Sequence, residues 1–228
     1  MLVVAAFTTA TAATPPVRLI ARSIDYDDVV VPFPAVTYAP PVDTTGPAPA
    51  VCARMASDAL GVAVDPVGDL VAETEHRVVL RDPSDRGRLL KVYRPDHYTP
   101  DQIAKMLQRD LGLEDFLRGL GLRVAAIDRN PRLLERGILR QQRIVGAPLD
   151  KLYPTGYPAG ADPRIDRMLG RIAAVDQALI RIVSRQSGLL LSNTVDCRND
   201  VPLGVDVGAC RGNIFVEQAS GDPVLIDW

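Results

Sequence analysis

Two side chains late in this sequence, the amide of Asn213 and the carboxylate of Asp227, have the type and spacing to hold a hard cation. Between them lie an apolar run (Ile214 to Val216), a polar turn (Ala219 to Pro223) and a second apolar run (Val224 to Ile226). That pattern predicts a β-hairpin, which brings its two ends together. Asn213 and Asp227 then flank one open end. One amide oxygen beside one carboxylate suits Mg²⁺, which takes one or two carboxylates and completes its shell with water and substrate phosphates. The third group is Lys91, inside the apolar run Arg88 to Tyr93. In a strand, Leu89, Lys91 and Tyr93 share one face while Leu90 and Val92 take the other. A lysine placed there either snorkels to solvent or is held by an acid. Asp110 and Glu114, one turn apart on a predicted helix, are both candidates to hold its ammonium toward a phosphate.

The elements that must position these groups are legible in outline. His76 to Arg81 and Arg88 to Tyr93 read as two strands around the turn Asp82 to Gly87. Thr99 and Pro100 open a helix, as N-cap and first helical residue. Ile103, Met106, Leu107, Leu111, Leu113, Phe116, Leu117 and Leu120 keep helical spacing, and Gly119 and Gly121 end it. Further strands are expected near Leu122–Ile127 and Leu133–Arg143. The run Gly146-Ala-Pro-Leu149 breaks regularity, and Asp162–Ser187 reads as a long amphipathic helix. A short helix is expected over Ala50–Val62. Four prolines and a glycine between Ala39 and Ala50 favour an extended linker, so residues 1–50 are expected to be an extension and 51–228 the folded domain. Strand-like pieces before residue 50 can still dock on it. Strands followed by helices predict an α+β chain with two lobes, the first over about 51–143 and the second over about 147–228.

Composition removes several functional classes. Of the 228 residues, 47% are hydrophobic, ample for a core, and the net charge is only −2. No global field points to nucleic acid or an anionic membrane. No apolar run is long enough for stable membrane insertion. Cys52, Cys197 and Cys210 fit no zinc spacing; Cys197 and Cys210 either pair in an oxidising compartment or stay free thiols. The start, Met1 to Ala13, resembles a short signal h-region but lacks a basic flank, which leaves cytoplasmic and exported readings both open. His76 and His97 are isolated, and no nucleophile elbow supports a Ser/His/Asp mechanism.

Taken in order, these residues resemble the protein-kinase-like superfamily, and within it minimal bacterial effector or toxin kinases. Arg88 to Tyr93 resembles the lysine strand, Glu114 to Gly121 the glutamate helix, Arg140 to Leu149 the strand and hinge between lobes, and Arg211 to Val216 with Val224 to Trp228 the catalytic-loop asparagine and metal aspartate. The resemblance covers about residues 51–228. It implies ATP and Mg²⁺ as cofactors, Lys91 on the phosphates, Glu114 orienting it, and Asn213 and Asp227 on metal. It implies a phosphate loop over Val67 to His76, where Gly68 is the one glycine and the Thr74 hydroxyl can approach phosphate. The family's base stands five residues before the asparagine; that position is Gly208 here, so Asp206 is the candidate base, brought back by a bend at Val207-Gly208-Ala209. The ending at Trp228 carries the expectation of a domain that works without an activation segment.

The expected activity is transfer of the ATP γ-phosphate to a protein hydroxyl, in the manner of a delivered effector or toxin. Two alternatives stay open: a small-molecule kinase of the aminoglycoside or choline type, and an inactive pseudokinase that binds a partner.

Overall fold

The computed structural model describes residues 33–41, 43–172 and 212–226; Asp206, Asp227, Arg211, Trp228, Cys197 and Cys210 lie outside them. The chain is mixed α+β, built on a strand-rich sheet with few helices. The element order begins α1 (Ala48–Leu60), β1 (Leu70–Glu73), β2 (Arg77–Arg81), β3 (Arg88–Tyr93) and α2 (Pro100–Gly119). It continues β4 (Ile127–Asp128), α3 (Pro131–Leu134), β5 (Ile138–Gln142), β6 (Gly146–Pro148) and α4 (Leu149–Leu152). Residues 163–172 form the described part of a further helix, α5, and β7 (Ile214–Glu217) and β8 (Pro223–Leu225) follow.

Five strands form an antiparallel sheet in the order β1-β2-β3-β5-β4. Alternation along β3 sorts its side chains onto two faces. Leu90 and Val92, with Val78, Leu80 and Ile138, pack against Val51, Cys52, Met55 and Ala56 of α1 and Leu133 of α3. Tyr93 on the opposite face, with Leu139 of β5, packs against Ile103, Leu107 and Leu111 of α2. Each such fully buried aliphatic side chain contributes about 1.5–3 kcal/mol relative to exposure. Lys91 lies between Leu90 and Val92 and shares the α2 face with Tyr93, as the strand period requires.

Helix α2 is specified at both ends. The Thr99 hydroxyl accepts from the Gln102 amide at 3.3 Å, and the Gln102 side chain accepts from the Thr99 amide at 2.9 Å, a reciprocal capping box. Gly121 ends the helical stretch with φ +74°, where an L side chain would be strained. The helix runs from one core into the next: its Leu113 and Leu117 join Leu149, Ile165, Met168, Leu169, Ile172, Ile214 and Leu225. The spacing of the four α5 residues in that group is the i, i+3, i+4, i+7 stripe expected of the helix starting near Asp162.

β6, β7 and β8 form a second, three-stranded sheet. The irregular run at Gly146 is therefore a strand, followed at once by α4. A Cβ on Gly146 would sit 2.1 Å from the Val216 carbonyl oxygen, so only glycine permits β6 to lie this close to β7. The segment expected as a strand over Leu122–Ile127 splits: Val124 makes a parallel bridge to Leu225, and only Ile127 and Asp128 join the large sheet. The strand expected over Leu133–Arg143 is shortened by α3, which Asn130 caps by accepting from the Arg132 amide at 3.0 Å with Pro131 in its first turn.

The folded part begins before Val51. Helix α1 opens at Ala48, Tyr38 is buried among α2 and β5 residues, and the Ala39 amide donates to the Glu135 carbonyl at 2.7 Å. The apolar aromatic ring of Tyr38 outweighs the prolines around it in fixing this stretch. None of the described helices is long and apolar enough to cross a membrane.

Candidate functional site

The hairpin expected at the end of the sequence is present, and its open end is closed by a hydrogen bond. Ile214 pairs with Leu225 across β7 and β8, and the Ile226 amide donates to the Asn213 carbonyl at 2.8 Å. Ile214, Val224 and Leu225 are buried, which anchors the strands in two core clusters. The Asn213 side chain is half-buried. The tip is held by arginines: Arg123 donates to Glu217 at 2.7 Å and to Asp222 at 3.2 Å, and Arg164 donates to the Ser220 carbonyl at 2.9 Å. The Ser220 hydroxyl and Arg123 hold the Glu217 carboxyl below its ordinary range.

Lys91 reaches this end of the hairpin. It is 7% exposed, and its Nζ donates to the Ile226 carbonyl at 2.8 Å across 135 residues of sequence. An ammonium buried to this degree needs compensation, because desolvation disfavours the charged form. Ile226 is the residue before Asp227 and the cross-strand partner of Asn213. Lys91 and the Asn213 backbone thus both meet Ile226, Lys91 at its carbonyl and Asn213 at its amide, while Asp227 lies outside the described residues.

The carboxylates of α2 have other partners. Glu114 is 4% exposed; it pairs with Arg118 at 3.2 Å and Arg129 at 3.3 Å, and accepts from the Ile127 amide at 3.0 Å. Among the described residues no ion pair joins it to Lys91, so the orienting contact expected of Glu114 is absent in this arrangement. Asp110, 2% exposed, accepts from the Tyr93 hydroxyl at 2.5 Å and from Arg109 at 2.7 Å, and pairs with Arg77 at 3.4 Å. Burial, with the Asp110 carboxylate beside it, raises the Tyr93 phenol far above its ordinary value. Arg118 is the i+4 helix neighbour of Glu114, a spacing legible in the sequence, whereas Arg129 and Arg77 approach from other elements and carried no such signal.

The expected phosphate loop also differs. Gly68 stands before β1, in a turn where the Asp69 amide donates to the Asp65 carbonyl at 3.0 Å. A Cβ there would meet the Asp65 carboxylate at 2.7 Å, so this glycine serves its own turn. The β1–β2 connection is Thr74 to His76. Its Thr74 hydroxyl donates to the Arg77 carbonyl at 3.0 Å and accepts from the amides of Arg77 at 3.0 Å and His76 at 3.3 Å. The Thr74 amide donates to the same Arg77 carbonyl at 2.9 Å. Three backbone donors and the hydroxyl are thereby engaged within the turn, and the cofactor roles expected of Gly68 and Thr74 have no support in its geometry.

Other chemistry is weak among the described residues. Burial, then the Asp96 carboxylate, pushes the Cys52 thiol up to about 12, which leaves it protonated and unreactive at neutral pH. No group of three or more His, Cys, Asp and Glu is placed to hold a metal among the described residues.

No family model matches the chain, and no curated protein matches it. Among solved structures it is similar to the kinase domain of Mycobacterium tuberculosis PknI. A cysteine-to-alanine mutant of that domain is 18% identical at a TM-score of 0.35, over 69% of this chain and 56% of that one. A second structure of the PknI kinase domain is 17% identical at a TM-score of 0.32, over 69% and 55%. The chain spans little more than half the length of the kinase domains it matches.

Proposed function

We propose that the chain is a minimal kinase-like phosphotransferase that binds Mg²⁺-ATP at the end of the β7–β8 hairpin. The observation that carries this reading is the Lys91 ammonium on the Ile226 carbonyl, with Asn213 across the hairpin and Asp227 next in sequence. A buried lysine on the third strand of an antiparallel sheet, ahead of a capped helix, is the structural context that a phosphate-binding strand lysine requires. In this reading the chain is two-lobed, with the five-stranded sheet in one lobe and the second sheet with α4 and α5 in the other.

Lys91 would neutralise phosphate charge, and Asn213 and Asp227 would hold Mg²⁺. Held there, Mg²⁺ would offset the negative charge developing on the phosphates. Asp206 would orient the acceptor hydroxyl and take its proton. Most of the rate then comes from positioning and charge neutralisation. A protein hydroxyl as acceptor, and delivery as an effector or toxin, rest on the sequence resemblance.

A second reading has its own observation. Glu114 is bound by two arginines, and the β1–β2 turn holds its own amides, as suits a pseudokinase that keeps the scaffold without transfer. Thermal denaturation with Mg²⁺-ATP separates the readings, since a ligand of the native state raises the melting temperature. Binding with radiolabel transfer that Asp206→Asn abolishes supports the enzyme. Binding without transfer to any acceptor supports the pseudokinase. An unchanged melting curve at millimolar nucleotide removes both nucleotide readings.

A further inference from the structure

We propose that a cavity behind the tip of the β7–β8 hairpin is a second binding site, for a phosphomonoester carried on a peptide side chain. The cavity measures about 220 Å³ and is lined by four guanidinium groups, Arg123, Arg164, Arg167 and Arg171, and by one carboxylate, Asp222. The four arginines divide into two pairs. Arg123 and Arg164 are neutralised by the acids they hold: Arg123 by Glu217 and Asp222, Arg164 by Asp162 and Asp222. Arg167 and Arg171 are not. Among the described residues Arg167 has no acidic partner, and Arg171 is held by a neutral group, donating to the Gly121 carbonyl at 2.5 Å.

That last contact orients an exposed guanidinium at the cavity. Gly121 has φ +74°, and a Cβ there would stand 2.8 Å from the Arg171 guanidinium. The left-handed φ favours glycine here, and the guanidinium lies against the turn. The carbonyl holds one end of the planar fork without cancelling its charge, which lowers the ordering cost of binding a ligand. Arg167 and Arg171 lie one turn apart on α5 and therefore on one face. Two adjacent guanidinium groups match the oxygens of a phosphate dianion, each able to donate in pairs.

Size and charge restrict the ligand. Small-molecule pockets run from about 300 to 1,000 Å³, so this cavity takes one headgroup and leaves the rest of its bearer outside. The chain as a whole carries a net charge of −2, which disfavours a nucleic-acid backbone. The site contains neither Lys91 nor Asn213, and it stands independently of the nucleotide reading.

The test is calorimetric titration of the full chain with three capped peptides of one sequence, bearing serine, phosphoserine or glutamate at the same position, and with inorganic phosphate. The phosphoserine peptide is expected to bind at least tenfold more tightly than the glutamate peptide, with the serine peptide not binding. Inorganic phosphate is expected to bind more weakly and to compete. Arg167→Gln and Arg171→Lys are each expected to weaken the phosphopeptide at least fivefold, while Lys91→Ala leaves it unchanged. Arg167 is exposed, so Arg167→Gln should keep the wild-type melting temperature. Equal binding of the glutamate peptide, no binding of the phosphopeptide at millimolar concentration, or loss of binding in Lys91→Ala instead of the arginine variants would overturn the proposal.

Discussion

The two hairpins that frame Lys91 are built in opposite ways. The β1–β2 hairpin lies at the edge of its sheet; β1 is largely exposed, its register shifts between Leu70 and Ala72, and its turn is closed by Thr74 acting on its own backbone. The β7–β8 hairpin is anchored by buried Ile214, Val224 and Leu225, fastened at the tip by Arg123 and Arg164, and joined at its open end to Lys91. A hairpin satisfied by itself has nothing left to offer a ligand. One satisfied by the rest of the molecule can present its end groups in a fixed place. Precise chemistry belongs on the second kind, because a site must be held within fractions of an ångström by its supports.

The difference can be broken most sharply at Lys91. Lys91→Met is expected to lower phosphoryl transfer on the order of 10²–10³-fold, the usual effect of losing one preorganised charge. Thr74→Ala should stay within about twofold of wild type if the β1–β2 turn is not a phosphate cradle, and a matching loss there would restore Thr74 to the site. Stability should separate the hairpins next. Leu225→Ala, in a fully buried position, is expected to destabilise by about 2–5 kcal/mol in urea titration. Val71→Ala, on the exposed edge strand, should stay within about 0.5 kcal/mol. Similar values for the two would deny the contrast in anchoring. A smaller effect than that of Leu225→Ala is expected from Thr74→Ala itself, about 1 kcal/mol for the lost turn hydrogen bonds.

The last contrast is with pH. The folded Glu217 carboxyl sits below its ordinary 4.5, held there by Ser220 and Arg123. A depressed carboxylate contributes stability that is present above the unfolded value and lost as pH falls through the folded one. Amide exchange in β7 and β8 should therefore accelerate as pH drops below about 4.5, after correction for intrinsic exchange. Glu217→Gln should remove that acid dependence while leaving exchange in β2 unchanged.

Much of this arrangement was legible in the residues. The N-cap at Thr99 with Pro100 behind it, the β2–β3 pair, the terminal hairpin and the start of α5 each carry a local signal of caps, turns or periodicity. Strand alternation placed Lys91 on the α2 face, but its contact with the Ile226 carbonyl is made across 135 residues and carried no signal of its own. What escaped was set by non-local partners or by close backbone geometry. Glu114 looked available to Lys91 because Arg129 lies on a connecting segment with no periodic pattern. Thr74 looked available to phosphate because its turn bonds use only its immediate neighbours. Gly146 looked like a break because close strand approach leaves no mark other than a missing side chain. Tyr38 docks from within a proline-rich stretch, where composition outweighed one aromatic ring. Asp206 and Asp227 fall outside the described residues, and their roles rest on sequence order.

The most direct test is calorimetric titration of Mg²⁺-ATP into the wild-type chain, Lys91→Ala, Asp227→Ala and Thr74→Ala, each with and without Mg²⁺. If the hairpin end is the nucleotide site, wild type and Thr74→Ala bind in a Mg²⁺-dependent way, Lys91→Ala loses affinity, and Asp227→Ala loses the Mg²⁺ dependence. Binding that is indifferent to Lys91 and Asp227, or no binding by the wild-type chain, would contradict it.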